Sequence, residues 1–173
     1  MSIVAVYADG GVIQKNPSPI GGTWAFCFVD AQNERIVTRS GSVSPAEFEM
    51  ATISNNLTEF LALLYALEAV PAGWIGSVYT DSGVTLQRFA DPWNVSMKGI
   101  PTALVDRARA VGKHVGGINL NLLGGHPNRA ELAAGVRKDG KRVSEHNVWC
   151  DQECTRVGEE YVNKLGTQEA SNV

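Results

Sequence analysis

Two short apolar runs, Ile3–Ala8 and Trp74–Thr80, each halt at an aspartate, Asp9 and Asp81. Runs of this length with β-branched and aromatic members read as strands, and Asp9-Gly10-Gly11 and Ser82-Gly83 read as the turns that close them. Each carboxylate is thus expected at a strand's carboxyl end, where α/β proteins build sites at a switch in sheet order. Position alone decides little, because an isolated Asp after a strand is ordinarily a turn or helix cap.

The other elements narrow the fold class. Thr23–Val29 resumes as strand, turns at Ala31-Gln32-Asn33 and returns over Arg35–Val43, which predicts a hairpin. Ser54 is placed to cap a helix over 56–70, stopped by Pro71, with Leu57, Leu61, Leu64 and Leu67 at helical spacing toward the sheet. Glu59 falls in that helix's first turn, where a carboxylate suits the macrodipole. A short helix follows Asp81 to Phe89, and Leu104, Ala108 and Val111 opposite Arg107 and Arg109 mark an amphipathic helix over 101–111. His114–Leu123 alternates as a last strand before Gly124-Gly125-His126, and a final helix runs from about His146 to Lys164. Three strands followed by alternating helix and strand predict an α/β fold, a mixed sheet with helices packed on it.

With 173 residues, 44% of them hydrophobic, the chain can build one good core but not two, so residues 1–166 read as one domain and 167–173 as a disordered tail. No apolar run nears the roughly 20 residues that span a bilayer, and the start lacks a signal-peptide plan, so a cytoplasmic protein with no membrane partner is expected. Cys27, Cys150 and Cys154 form no even framework and read as reduced thiols. A net charge of −3 argues against nucleic-acid binding by charge alone. It does not forbid it, because acidic residues gathered at a metal site lower the net charge while a cluster such as Arg137, Lys138, Lys141 and Arg142 stays basic.

Four motifs give the carboxylates a context. They are Tyr7-Ala8-Asp9-Gly10-Gly11 with Asn16-Pro17-Ser18-Pro19-Ile20-Gly21-Gly22; Asn55-Asn56-Leu57-Thr58-Glu59 with Ala66-Leu67-Glu68; Thr80-Asp81-Ser82; and Gly125-His126-Pro127 with Asn147-Val148-Trp149-Cys150-Asp151. In this order and at these separations the chain resembles the type 1 ribonuclease H family over almost its whole length. The resemblance implies a ribonuclease H-like five-stranded sheet, three antiparallel strands and then two parallel, flanked by helices. It implies a metal-dependent endonuclease that cuts the RNA strand of RNA–DNA hybrids and acts as a monomer. Asp9 would bridge two Mg²⁺ ions, with Mn²⁺ a possible substitute. Asp151 would help to hold the ion that activates water, Glu59 and Asp81 the other, and His126 would assist from a mobile loop. Asn16, Asn55, Asn56 and Ser82 match positions at the hybrid, Asn56 foremost. The same carboxylate cage would also serve a nuclease of DNA or of branched junctions, against which the Asn-Asn motif speaks. An inactive interaction domain would be expected to have lost a carboxylate, and all four are present.

The chain also departs from the family's pattern. The basic, tryptophan-bearing helix that many bacterial members use to grip the hybrid has no counterpart in the short Asp91–Gly99 segment, and Gly83 stands where many relatives carry a polar side chain. Conversely, 128–145 is an added segment, and Asp139-Gly140 between Arg137-Lys138 and Lys141-Arg142 predicts a hairpin that could replace the missing grip. His146, Cys150 and Cys154 share a helical face; with no fourth ligand in view, packing against the sheet is the simpler reading than zinc.

Overall fold

The structure is a computed structural model and describes residues 2–171. Its strands are β1 (Ala5–Val12), β2 (Gly22–Val29), β3 (Arg35–Val43), β4 (Ile75–Thr80) and β5 (Gly117–Leu122). Its α-helices are α1 (Asn55–Ala69), α2 (Gly83–Ala90), α3 (Thr102–His114), α4 (Arg129–Ala134) and α5 (Glu145–Ser171). The sheet order is β3-β2-β1-β4-β5. The first three strands pair antiparallel, while β4 joins β1, and β5 joins β4, in parallel. The mixed sheet expected from the order of elements is present.

Alternation along β1 and β2 sorts side chains to two faces. Val6, Ala8, Phe26 and Phe28 enter the core under α1, α2 and α3, whereas Ala5, Tyr7, Ala25, Cys27 and Val29 enter the one under α5. Leu57, Leu61, Leu64 and Leu67 are fully buried, and each such burial contributes about 1.5–3 kcal/mol. Ser54 caps α1 by accepting the Leu57 N–H at 3.2 Å. The helix starts at Asn55, so Glu59 opens its second turn rather than lying in the first.

Four local expectations change. β1 does not stop at Asp9: Gly10, Gly11 and Val12 stay paired with Trp24, Thr23 and Gly22. What ends before Asp9 is the parallel ladder to β4, whose last pair is Tyr7 with Tyr79. The last strand is shorter than read, because α3 runs on to His114. The added segment is more than a hairpin, since α4 comes first, with Asn128 and Glu131 forming a capping box, and only then does the chain fold back through an isolated bridge from Val136 to Arg142. Finally, α5 continues to Ser171, beyond the Lys164 region where the last helix was expected to end; residues 172–173 lie outside the described residues. Among the described residues no helix is long and apolar enough to cross a membrane.

Candidate active site

Carried two residues past the last pair, Tyr7 with Tyr79, the β1–β4 register sets Asp9 opposite Asp81. Glu59 arrives from the helix side. A Cβ on Gly10 would lie 2.3 Å from the Glu59 nitrogen and from the Thr58 carbonyl carbon, so β1 and α1 meet backbone to backbone there. Only glycine permits that approach, and it brings the Glu59 side chain to Asp9. Each of Asp9, Glu59 and Asp81 offers a carboxylate oxygen within 4.8 Å of the other two.

Asp151 and His126 line the same cavity, of about 770 Å³, as the three carboxylates. Asp151 stands outside the tight trio, on α5, with its Oδ2 3.5 Å from His126 Nδ1. The imidazole is 81% exposed on a loop whose backbone is held in the left-handed region, φ 49° at His126, an uncommon conformation for a residue other than glycine. That loop touches the trio, because a Cβ on Gly125 would fall 2.5 Å from Asp81 Oδ2.

Carboxylates crowded away from water resist ionisation. Asp9 is 5% exposed, and burial, then the charges of Asp81, Asp151 and Glu59, push its pKa well above the usual carboxylate range. The Gly10 N–H donates to its Oδ1 at 2.8 Å and works the other way. Burial also raises Glu59, against hydrogen bonds from Ser82 and Asn55. Burial raises Asp81, against the Asn147 Nδ2–H that donates to its Oδ2 at 3.3 Å. The donor set fits a hard divalent cation: three carboxylates that converge within 4.8 Å of one another. A cation held there would relieve the mutual repulsion.

The residues expected at the hybrid form a chain leading to Glu59. Asn16 Oδ1 accepts the Asn55 backbone N–H at 3.0 Å, and Asn55 Nδ2 donates to Glu59 Oε1 at 2.7 Å. Asn56 is exposed at the helix start. Ser82 is different. It is 7% exposed and caps α2 by accepting the Thr85 N–H at 3.2 Å, while its own hydroxyl donates to Thr85 Oγ1 at 3.0 Å; it lies close enough to Glu59 to oppose the rise of that carboxyl's pKa.

The zinc alternative is not built. His146 Nδ1 accepts from Arg35 Nη1 and its Nε2–H donates to Asn33 Oδ1, both at 2.9 Å, tying α5 to the β2–β3 hairpin. Burial and the neighbouring Arg35 lower the His146 pKa, which keeps the ring neutral. Cys150 and Cys154 pack on β1, their thiols 3.7 Å and 3.5 Å from the carbonyls of Tyr7 and Asp9. Asn147 stands in the fourth motif but takes no role from the sequence, although it lies four residues before Asp151, a spacing that places two side chains on one helix face.

No family model and no curated protein matches the chain in sequence. Solved structures do match its backbone. The N-terminal RNase H domain of Rv2228c from Mycobacterium tuberculosis, solved as a fusion with maltose binding protein, superposes with a TM-score of 0.63 at 17% identity, over 94% of this chain and 99% of that one. The chain has the ribonuclease H fold. RNase H1 from the halophilic archaeon Halobacterium salinarum NRC-1 gives a TM-score of 0.61 at 17% identity, over 91% and 98% of the two chains. LC11-RNase H1, solved in complex with an RNA/DNA hybrid, gives 0.59 at 15% identity, over 91% and 98%. At such identities the ribonuclease H fold is shared and most side chains are not, so the site has to be argued from this chain's own residues.

Proposed function

We propose that this chain is a divalent-metal-dependent endonuclease that hydrolyses the RNA strand of RNA–DNA hybrids. The observation that carries the reading is the convergence of Asp9, Glu59 and Asp81 within 4.8 Å at the edge of an open cavity that Asp151 and His126 also line. Asp9, Glu59, Asp81 and Asp151 would hold the ions. Two Mg²⁺ ions, or Mn²⁺ in their place, would supply the charge that activates a water and stabilises the departing phosphate-ester oxygen.

The chain's own residues do the rest. Asn55 donates to Glu59 and Asn147 to Asp81, each bond working against the burial that raises that carboxyl's pKa. His126 turns Nδ1 toward Asp151, which leaves Nε2 to take or give a proton at the scissile phosphate. The amides of Asn16, Asn55 and Asn56 stand at the start of α1, where a 2′-hydroxyl, both donor and acceptor, can be told from a deoxyribose. The hybrid seen with LC11-RNase H1 supports the same class of partner for this fold.

A cleavage panel of hybrid, duplex DNA and duplex RNA in Mg²⁺ tests the reading. Hybrid alone should be cut. Cleavage of duplex DNA would assign the cage to a DNA nuclease instead, and no cleavage of any duplex would assign the chain to an interaction domain. His126→Ala should lower kcat on hybrid by roughly ten- to a thousandfold, in line with general acid–base contributions, with the Mg²⁺ dependence kept. A collapse of Mg²⁺ affinity in that variant would make His126 a metal ligand and overturn its assigned role.

The added segment is the candidate replacement for the basic grip. Arg137 is already engaged, donating to the Gly125 carbonyl at 2.7 Å and to Asp139 at 3.0 Å, so of the four basic residues around Asp139-Gly140 it is Lys138, Lys141 and Arg142 that are left for phosphates. Replacing those three by Ala should weaken hybrid affinity and flatten the slope of log K against log salt by about one to three units. An unchanged slope would remove the segment from the binding surface.

A further inference from the structure

The added segment closes back on the loop that carries His126, and it does so through specific bonds. Arg137 Nη1 donates to the Gly125 carbonyl at 2.7 Å, while Nη2 donates to Asp139 Oδ2 at 3.0 Å. Asp139 is itself held, since its Oδ1 accepts the Lys141 N–H at 3.2 Å. The Gly124 N–H donates to the Arg142 carbonyl at 2.7 Å, and the Arg137 N–H to the Lys141 carbonyl at 2.8 Å. The fit leaves no slack, for a Cβ on Gly124 would lie 2.5 Å from Arg137 Cδ.

We infer that Arg137 is a positioning residue, the pin of a clasp formed by 129–143 that fixes the Gly124–His126 loop against Asp81 and so aims the His126 imidazole. The reasoning is one of constraint. His126 is 81% exposed, and among the described residues the ion-pair partner it meets is the Asp151 carboxylate at 3.5 Å, too weak and solvated a contact to hold an imidazole in one place. Its backbone sits in a sparsely populated region, which persists when the surroundings over-determine it. Asp81 lies on one side of the preceding glycines and the Arg137 guanidinium grips them from the other. The guanidinium suits this task because its planar fork can hold a carbonyl and a carboxylate at once, which an ammonium cannot do with the same geometry. A loop expected to be mobile is thereby pre-organised, at the cost of a basic residue that would otherwise be free for phosphate.

The inference rests on the assignment of His126 to hybrid cleavage, and its test separates the two. Amide hydrogen exchange at residues 124–126 is measured in the parent and in Arg137→Ala; it should speed up at these residues in the variant, whether or not the protein cleaves hybrid. On hybrid, Arg137→Ala should lower kcat by about ten- to a hundredfold, because a misplacement of about 1 Å can cost the larger figure, while KM and the salt slope change little. Arg137→Lys, which retains one of the two bonds, should recover part of the loss. In a His126→Ala background the Arg137→Ala change should have almost no further effect on kcat, since its role is exercised through that imidazole. Unchanged exchange at 124–126 would overturn the clasp. Faster exchange with a full additional kcat loss in the His126→Ala background would overturn the link to His126, and a loss confined to KM and the salt slope would make Arg137 a phosphate contact instead.

Discussion

Replacing Asp9 by Asn is expected to abolish hybrid cleavage in Mg²⁺ and, in the same protein, to raise the melting temperature measured without metal. The first effect follows from its place among the carboxylates. Asp9 faces Asp81 across the end of the parallel ladder and feels the charges of Asp81, Asp151 and Glu59, so an uncharged amide there removes one of the charges that would hold the proposed ions. Several kcal/mol of charge stabilisation depend on those ions, which sets the expected loss at about a thousandfold or more. The second effect follows from crowding. With its folded pKa above the unfolded one, Asp9 costs stability that is fully present above the folded value and vanishes as the pH falls below the unfolded value near about 3.9. Asn removes that cost, and a relief of about 1 kcal/mol raises the melting temperature by about 2–4 °C in a chain of this size. The gain should shrink as the pH is lowered toward about 4. Mg²⁺ should raise the melting temperature of the parent and do so much less in the variant. Near-parental turnover in Asp9→Asn would remove the carboxylate from the assigned site.

Gly10→Ala should be the most damaging change that leaves every charged group in place. The added Cβ would lie 2.3 Å from backbone atoms of Thr58 and Glu59, and backbone cannot yield by changing a rotamer. β1 and α1 must separate, at a cost of about 3 kcal/mol or more, which is a fall in melting temperature of about 6–12 °C. Separation also moves Glu59 from Asp9, so cleavage by the folded fraction should drop by about a hundredfold. Gly11→Ala is the matched control, because its Cβ would meet the Thr23 hydroxyl at 3.0 Å, a side chain that can turn away. Equal melting temperatures for the two variants would refute the backbone-contact account of how the trio is assembled.

The glycine after Asp9 also shows where the sequence misleads. Asp9-Gly10-Gly11 has the composition of a turn, yet the residues continue β1; Gly10 is there because a helix backbone leans on it, a contact made by residues almost fifty positions away and invisible to local pattern. The β2–β3 hairpin and the leucine face of α1 were legible because alternation and helical spacing record burial directly. The carboxylates were legible by motif, but local pattern could not say that three converge while Asp151 stands apart with His126. That Ser82 is buried was not legible, because a motif identifies a position and not its burial. One other feature left a signal that went unread: Asn128 and Glu131 carry the spacing of a helix start.

Strand-resolved cleavage is the most direct test of the central proposal. A hybrid whose RNA and DNA strands carry different labels is incubated with the purified protein in Mg²⁺, alongside the same reaction with a chelator. The expected result is internal cuts in the RNA label alone, an intact DNA label, and no cuts once the metal is removed. Cuts in the DNA strand, or RNA cuts that persist in the chelator, would contradict the account.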